Sequence, residues 1–187
     1  MLRGWIILFL GMLIFFSGRG QTVIAYYSGD ARAIDEYPVE QLTHIIYSFC
    51  YLKAGALHVG RRSDSLTIRK LVSLKRSHPS LKILLSLGGW GGCKTCSDVF
   101  ATGEGREKFA RSVLEMTRYF HTDGIDLDWE FPTLGGYPGH PFRAEDKANF
   151  TALLEALRNV LGPSKEISFI VAGFSPYLQG SIDLVSA

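Results

Sequence analysis

The chain has 187 residues, of which 47% are hydrophobic, 20% charged and 12% aromatic, and it carries three cysteines. Length of that order suits one domain, and the composition excludes an intrinsically disordered chain, a collagen-like repeat and a disulfide-scaffold miniprotein. Twenty Lys and Arg stand against 18 Asp and Glu with no basic stripe, so electrostatics gives no case for nucleic acid as a partner.

The first 20 residues read as a targeting segment. Arg3 supplies a positive start, and the apolar run from Trp5 to Phe16 is broken only by Gly11. Ser17-Gly18-Arg19-Gly20 follows, with small residues where a signal peptidase needs them, so a signal peptide over 1–20 is expected to be cleaved before Gln21. A membrane span takes roughly 20 apolar residues, and this run is shorter; an uncleaved anchor is the second reading. Cleavage removes Arg3 and Arg19 and leaves 18 basic against 18 acidic side chains. The expected product, residues 21–187, is secreted or periplasmic, lies in an oxidising compartment and has no stable membrane association after cleavage.

From Gln21 onward, short apolar runs alternate with helical patterns. Thr22 to Tyr27 is β-branched and aromatic and predicts a first strand, and His44 to Tyr51 a second, after a short helical stretch near Pro38. Ser63 to Ser77 is an amphipathic helix on Leu66, Leu71, Val72 and Leu74. Leu81 to Leu87 is the third strand, stopped by Gly88-Gly89. Glu104 to Phe120 is a helix with Phe109, Val113, Met116, Thr117 and Phe120 on one face, and Gly124 to Phe131 is the fourth strand. Ala144 to Leu161 is a helix stopped by Gly162-Pro163, and Ile167 to Ala172 is the fifth strand. Strands alternating with helices imply βαβ units and a parallel sheet. A doubly wound sheet would carry a glycine-rich phosphate loop after its first strand, where this chain has Tyr26-Tyr27-Ser28-Gly29. The notable residues cluster instead at the C-terminal ends of several strands, as in a (β/α)8 TIM barrel.

The most informative segment is Asp123-Gly-Ile-Asp126-Leu-Asp128-Trp-Glu130. Strand side chains alternate, so Asp126, Asp128 and Glu130 share one face and Ile125, Leu127, Trp129 and Phe131 the other. An edge strand with one solvated face would also show this alternation, but the strongly apolar second face and the flanking helices place the acids in a barrel interior. Acids packed in a column raise each other's pKa, the tuning that acid–base catalysis requires.

Asp123-x-x-Asp126-x-Asp128-x-Glu130 resembles the DxxDxDxE signature of the family 18 glycoside hydrolases, the chitinase family. Ser86-Leu87-Gly88-Gly89 on the preceding strand is similar to the family's S-x-G-G pattern, and the runs around Gly88 to Phe100 and Gly136 to Phe150 resemble bacterial members. The resemblance implies a retaining hydrolase of β-1,4-linked N-acetylglucosamine polymers, working by substrate assistance. Its partners would be chitin or N-acetylglucosamine oligosaccharides, with no cofactor and no metal. By resemblance Glu130 is the general acid and base, Asp128 orients the substrate acetamido group, and Asp126 shares a proton with Asp128. Asp123, Ser86, Gly88 and Gly89 are structural. An endo-β-N-acetylglucosaminidase would share this set; a non-catalytic carbohydrate binder of the family would have lost Glu130.

Tyr26, Phe49 and Trp90 fall at the ends of the first three strands and are candidate sugar-stacking residues, with plugging of the barrel top as the alternative. Cys93-Lys-Thr-Cys96 is compatible with a redox pair, half a zinc site or a local disulfide; no second C-x-x-C or nearby His pair is present, and export favours the disulfide. Cys50 is left as a buried thiol. Asn149-Phe-Thr151 is a formal glycosylation sequon, but it lies inside a predicted helix. The loop from Pro132 to Pro141 is a cleft wall or a solvated connection. Five strands where a barrel needs eight, and the absence of the later Met-x-Tyr-Asp strand that the resemblance implies, predict a barrel truncated after about five strands.

Overall fold

The computed structural model describes residues 21–183, and the leader expected over 1–20 lies outside the described residues. The chain runs β1 (Ile24–Tyr27), two 3-10 turns (Ala33–Glu36 and Val39–Gln41), β2 (His44–Lys53), β3 (Ala56–His58), α1 (Arg62–Ser73) and β4 (Lys82–Gly88). It continues through α2 (Cys96–Phe100), α3 (Gly103–Phe120), β5 (Gly124–Asp128), α4 (Asp146–Leu161), β6 (Glu166–Phe169) and α5 (Ser175–Gly180). Five strands pair in the order β1-β2-β4-β5-β6, every pair parallel, and β3 folds back antiparallel on β2. The order never reverses, as it would in a doubly wound sheet. Over the described residues the sheet is open, with β1 and β6 at its edges.

The outer face of the sheet carries the core. Ile125 and Leu127 of β5 and Trp129 beyond it are buried with Phe100 of α2, Phe109 and Val113 of α3, and Phe150 and Leu153 of α4. The ring of Trp129 meets Phe100 edge-on at 5.6 Å and Phe150 at a tilt at 6.2 Å, and Phe100 meets Phe109 at 5.1 Å. Local signals fix the helix ends: the Thr102 side chain accepts the Gly105 N–H at the start of α3, and His121 closes it in the left-handed region at φ 62°.

Four of the differences from the sequence-based elements have local causes. The parallel ladder of β5 stops at Asp128, three residues before the predicted end, so Glu130 stands beyond the strand. The β2–β3 hairpin turns through Ala54 and Gly55, both at positive φ (51° and 77°), and its three-residue return strand is too short to show alternation. Helices α2 and α5, of five and six residues, are likewise too short to show a helical period. The helical stretch near Pro38 is a pair of 3-10 turns.

Asp123 ties the start of β5 to β4 and to the end of the first helical segment. Its carboxylate accepts from Lys75 Nζ at 2.7 Å through both oxygens and from the Ile83 backbone N–H at 2.8 Å. Asp123→Ala leaves that N–H without its acceptor and Lys75 without its counter-ion. The expected loss is about 1–3 kcal/mol of unfolding free energy, read by urea denaturation, with an unchanged m-value.

Candidate active site

Parity along the paired strands assembles the site. Ser86, Asp126 and Ser168 lie in one register row across β4, β5 and β6. Asp126 is completely buried; its Oδ2 accepts from Ser86 Oγ at 2.7 Å and from the Tyr26 hydroxyl at 3.1 Å, and its Oδ1 from Ser168 Oγ at 2.6 Å. Three hydroxyls from three strands thus replace the water that the carboxylate gives up on burial. Burial, and then the charge of Asp126, hold the Tyr26 phenol well above its ordinary pKa, so it remains a donor. Both Asp126 oxygens accept hydroxyls, and the charge of Asp126 raises the Asp128 carboxyl.

Asp128 lies one step nearer the rim, in register with Gly88. Gly88 sits at φ 119°, and a Cβ there would stand 2.0 Å from the Asp128 carbonyl oxygen; Gly89, at φ 80°, donates its N–H to that oxygen at 3.0 Å. The Gly-Gly pair is therefore a close backbone approach, which side chains of any size would prevent. The Asp128 side chain is buried, and its Oδ1 has no hydrogen-bond partner. Removal from water, then the charges of Glu130 and Asp126, push its carboxyl up from 3.8 to about 7. Glu130 is half-buried at the rim, and burial raises its carboxyl as well. Two acids whose carboxyls are both raised thus sit beside each other, each feeling the loss of water on burial.

Trp90 and Phe131 follow β4 and β5 at the same end of the sheet. Trp90 follows Gly89 and is 61% exposed, with Phe131 tilted 6.4 Å away and Tyr137 edge-on at 5.8 Å. Phe49 is exposed and lies against Gly89, where a Cβ would come within 2.7 Å of its ring. The peptide bonds Ser48–Phe49 and Glu130–Phe131 are cis. Of the candidate residues, Tyr26 reaches Asp126 through its hydroxyl, whereas Trp90 and Phe49 are exposed rings with no such bond to the carboxylates. Two contributors escaped the sequence reading. Ser168 was findable, because its parity on the fifth strand matches that of Asp126; Tyr137 sits in a loop where no period applies.

Cys93 and Cys96 are joined in a disulfide, with Cα atoms 5.4 Å apart. Cys50 is a buried free thiol whose burial pushes its pKa up to about 12, which leaves it unreactive. Among the described residues no cluster of three or more His, Cys, Asp or Glu is arranged to hold a metal ion, and no helix is long and apolar enough to cross a membrane.

Known proteins carry the assignment of this arrangement to a family. The family described as glycosyl hydrolases family 18 matches residues 22–186, and the chain belongs to it. It is 46% identical over 94 residues to Chitinase A1 of Niallia circulans, covering 50% of this chain and 13% of that protein. Its fold is similar to the chitinase domain of the spore coat protein CotE from Clostridium difficile, with a TM-score of 0.81 and 32% identity over 89% of this chain and 46% of that one. A family 18 N-acetylglucosaminidase from Paenibacillus barengoltzii matches with a TM-score of 0.76 and 30% identity over 89% of this chain and 50% of its own. The chain therefore spans half or less of the length of these relatives.

The raised carboxyl of Asp128 has a stability consequence. The unfolded chain releases this proton near 3.8 and the folded chain near 7, so folding becomes less favourable as pH rises between those values and levels off above them. Asp128→Asn removes that penalty. Its melting temperature relative to the unsubstituted protein is expected to rise by several degrees between pH 4 and pH 8, as measured by calorimetry at both; an offset that is the same at both pH values would contradict the assignment.

Proposed function

We propose that the chain carries the acid–base chemistry of an exported chitin-cleaving hydrolase, acting on β-1,4-linked N-acetylglucosamine polymers with retention. The five parallel strands are, in this reading, strands of the family's (β/α)8 barrel. The observation that carries the proposal is the buried, unpartnered Oδ1 of Asp128 beside Glu130. An orphan acceptor in a buried site is costly unless a ligand supplies a donor, and an acetamido N–H is such a donor.

The steps follow from the positions. Glu130, whose protonated form burial favours, gives its proton to the glycosidic oxygen as the bond from that oxygen to C1 breaks. The acetamido carbonyl oxygen of the same sugar bonds to C1 and forms a cyclic oxazolinium. With Glu130 protonated its charge no longer raises the Asp128 carboxyl, and Asp128 in its ionised form accepts the acetamido N–H, which aims the carbonyl at C1, while its negative charge stabilises the cation. Glu130, now a carboxylate, takes a proton from water; the water oxygen attacks C1 from the vacated side and reopens the ring. Asp126, fixed by three hydroxyls, raises the Asp128 carboxyl through its charge, and the charge of Glu130 acts on Asp128 directly, so that the ionisation of Asp128 follows the state of Glu130. A purely carbohydrate-binding role gives no reason for an intact Glu130 with a raised pKa.

Glu130→Gln keeps the shape and removes the proton. Hydrolysis of a chromogenic chitotrioside by the intact protein should fall at least about 100-fold while binding of chitooligosaccharide persists. The corresponding glucose trioside, which lacks the acetamido nucleophile, should not be cleaved by the unsubstituted protein. Undiminished activity of Glu130→Gln would overturn the assignment.

A further inference from the structure

Glu130 stands past Asp128, the last paired residue of β5, so the ladder does not seat it. The chain returns to it at Gly136. A Cβ on Gly136 would stand 2.1 Å from the Glu130 carbonyl oxygen, 2.7 Å from its carbon and 2.9 Å from the Phe131 nitrogen. All three are backbone atoms, and Gly136 is not among the glycines at positive φ, so space rather than backbone conformation excludes a side chain. Gly136 thus covers the peptide between Glu130 and Phe131, while the Phe131 ring packs edge-on against Tyr177 at 5.2 Å and Phe174 at 5.7 Å. The returning loop is itself fastened. The Tyr137 ring lies against Gly91, where a Cβ would come within 3.1 Å of it. Arg143 donates to Ser97 Oγ at 2.6 Å and pairs with Asp98, both in α2. Fully buried Asp146 accepts from Ser97 Oγ at 2.7 Å and from the Arg143 backbone N–H at 2.8 Å. The connection from β5 to α4 therefore presses on the Glu130 backbone at one point and is tied to α2 at another.

We propose that Gly136 is a positioning residue for the acid: its bare backbone seats the Glu130 carbonyl, and the anchor of Ser97, Arg143 and Asp146 keeps it there. The inference rests on the function proposed above. Seating the carbonyl fixes the peptide plane beside the Glu130 Cα, from which the carboxyl hangs. Proton transfer needs its heavy atoms within about 2.6–3.2 Å of each other. A Cβ on Gly136 would force the two backbones apart by about 1 Å, and a misplacement of that size costs about 100-fold where the reaction depends on geometry. Gly136 acts through Glu130, not on the substrate.

The test compares two leaving groups on the intact protein: a sugar, in chitotetraose, which must be protonated to depart, and the acidic phenol of 3,4-dinitrophenyl chitobioside, which departs without a proton. Gly136→Ala should lower kcat/KM about 100-fold for chitotetraose and less than about fivefold for the dinitrophenyl substrate. The ratio kcat/KM is compared because it reads the steps up to bond cleavage, not the later attack of water, in which Glu130 serves both substrates. Added to Glu130→Gln, Gly136→Ala should cost chitotetraose less than about twofold more, because the acid it positions is already gone. Ser97→Ala keeps Gly136 and slackens the anchor; it should show the same split with a loss of about fivefold for chitotetraose, and it decides the matter where Gly136→Ala does not fold. Equal losses on the two substrates, or a Gly136→Ala loss that multiplies that of Glu130→Gln, overturn the inference and leave the proposed function standing. Undiminished activity of Glu130→Gln, or no hydrolysis of either substrate by the unsubstituted protein, overturns the proposed function and the inference with it.

Discussion

A single buried carboxylate organises the inner face of this molecule. Asp126 cannot be sheltered from water without donors, and it finds them in Tyr26 of β1, Ser86 of β4 and Ser168 of β6. Each hydrogen bond to a charged group is worth about 1.5–3 kcal/mol net, but losing one would leave an ion partly unsatisfied in the interior. The register of β5 against both neighbours is thereby set: a slip by one residue would send Asp126 into the Phe100, Phe109 and Phe150 core and Leu127 into the polar face.

From that fixed point the rest of the site follows by the geometry of a strand. Asp128, two residues on, must share the face of Asp126, and Gly88 must lie beside it. The absence of a Cβ at Gly88 lets the two backbones close, and Gly89 then donates to the same carbonyl that Gly88 crowds. The ladder ends there, which frees Glu130 to stand at the rim with partial access to water. The gradient of burial along Asp126, Asp128 and Glu130 sorts three chemically similar acids into different roles: an anchored anion, a carboxyl tuned near neutrality, and a rim acid.

Much of this was legible in the sequence, because period two decides faces. Alternation in Ile125 to Glu130 separated the acids from the core, and the same alternation on the fifth strand contains Ser168. Helices α1, α3 and α4 are long enough for their apolar spacing to speak, and their predicted bounds agree with the structure to within a few residues. What stayed hidden depends on distance across the fold. The Asp146, Ser97 and Arg143 cluster joins residues more than 40 positions apart through polar side chains that look like ordinary surface in one dimension. Tyr26 reads as a stacking ring from its position, and only the sheet shows that its hydroxyl reaches Asp126 two register rows from its own strand's pairing level.

The account stands on Asp128 holding its proton up to neutrality because of its burial and the charges of Glu130 and Asp126. The direct measurement is the titration of its side-chain carboxyl by carbon NMR in the folded protein. The account predicts a midpoint near 7 that moves down when Glu130→Gln removes the neighbouring charge. A midpoint near the ordinary 3.8, indifferent to that substitution, would contradict it.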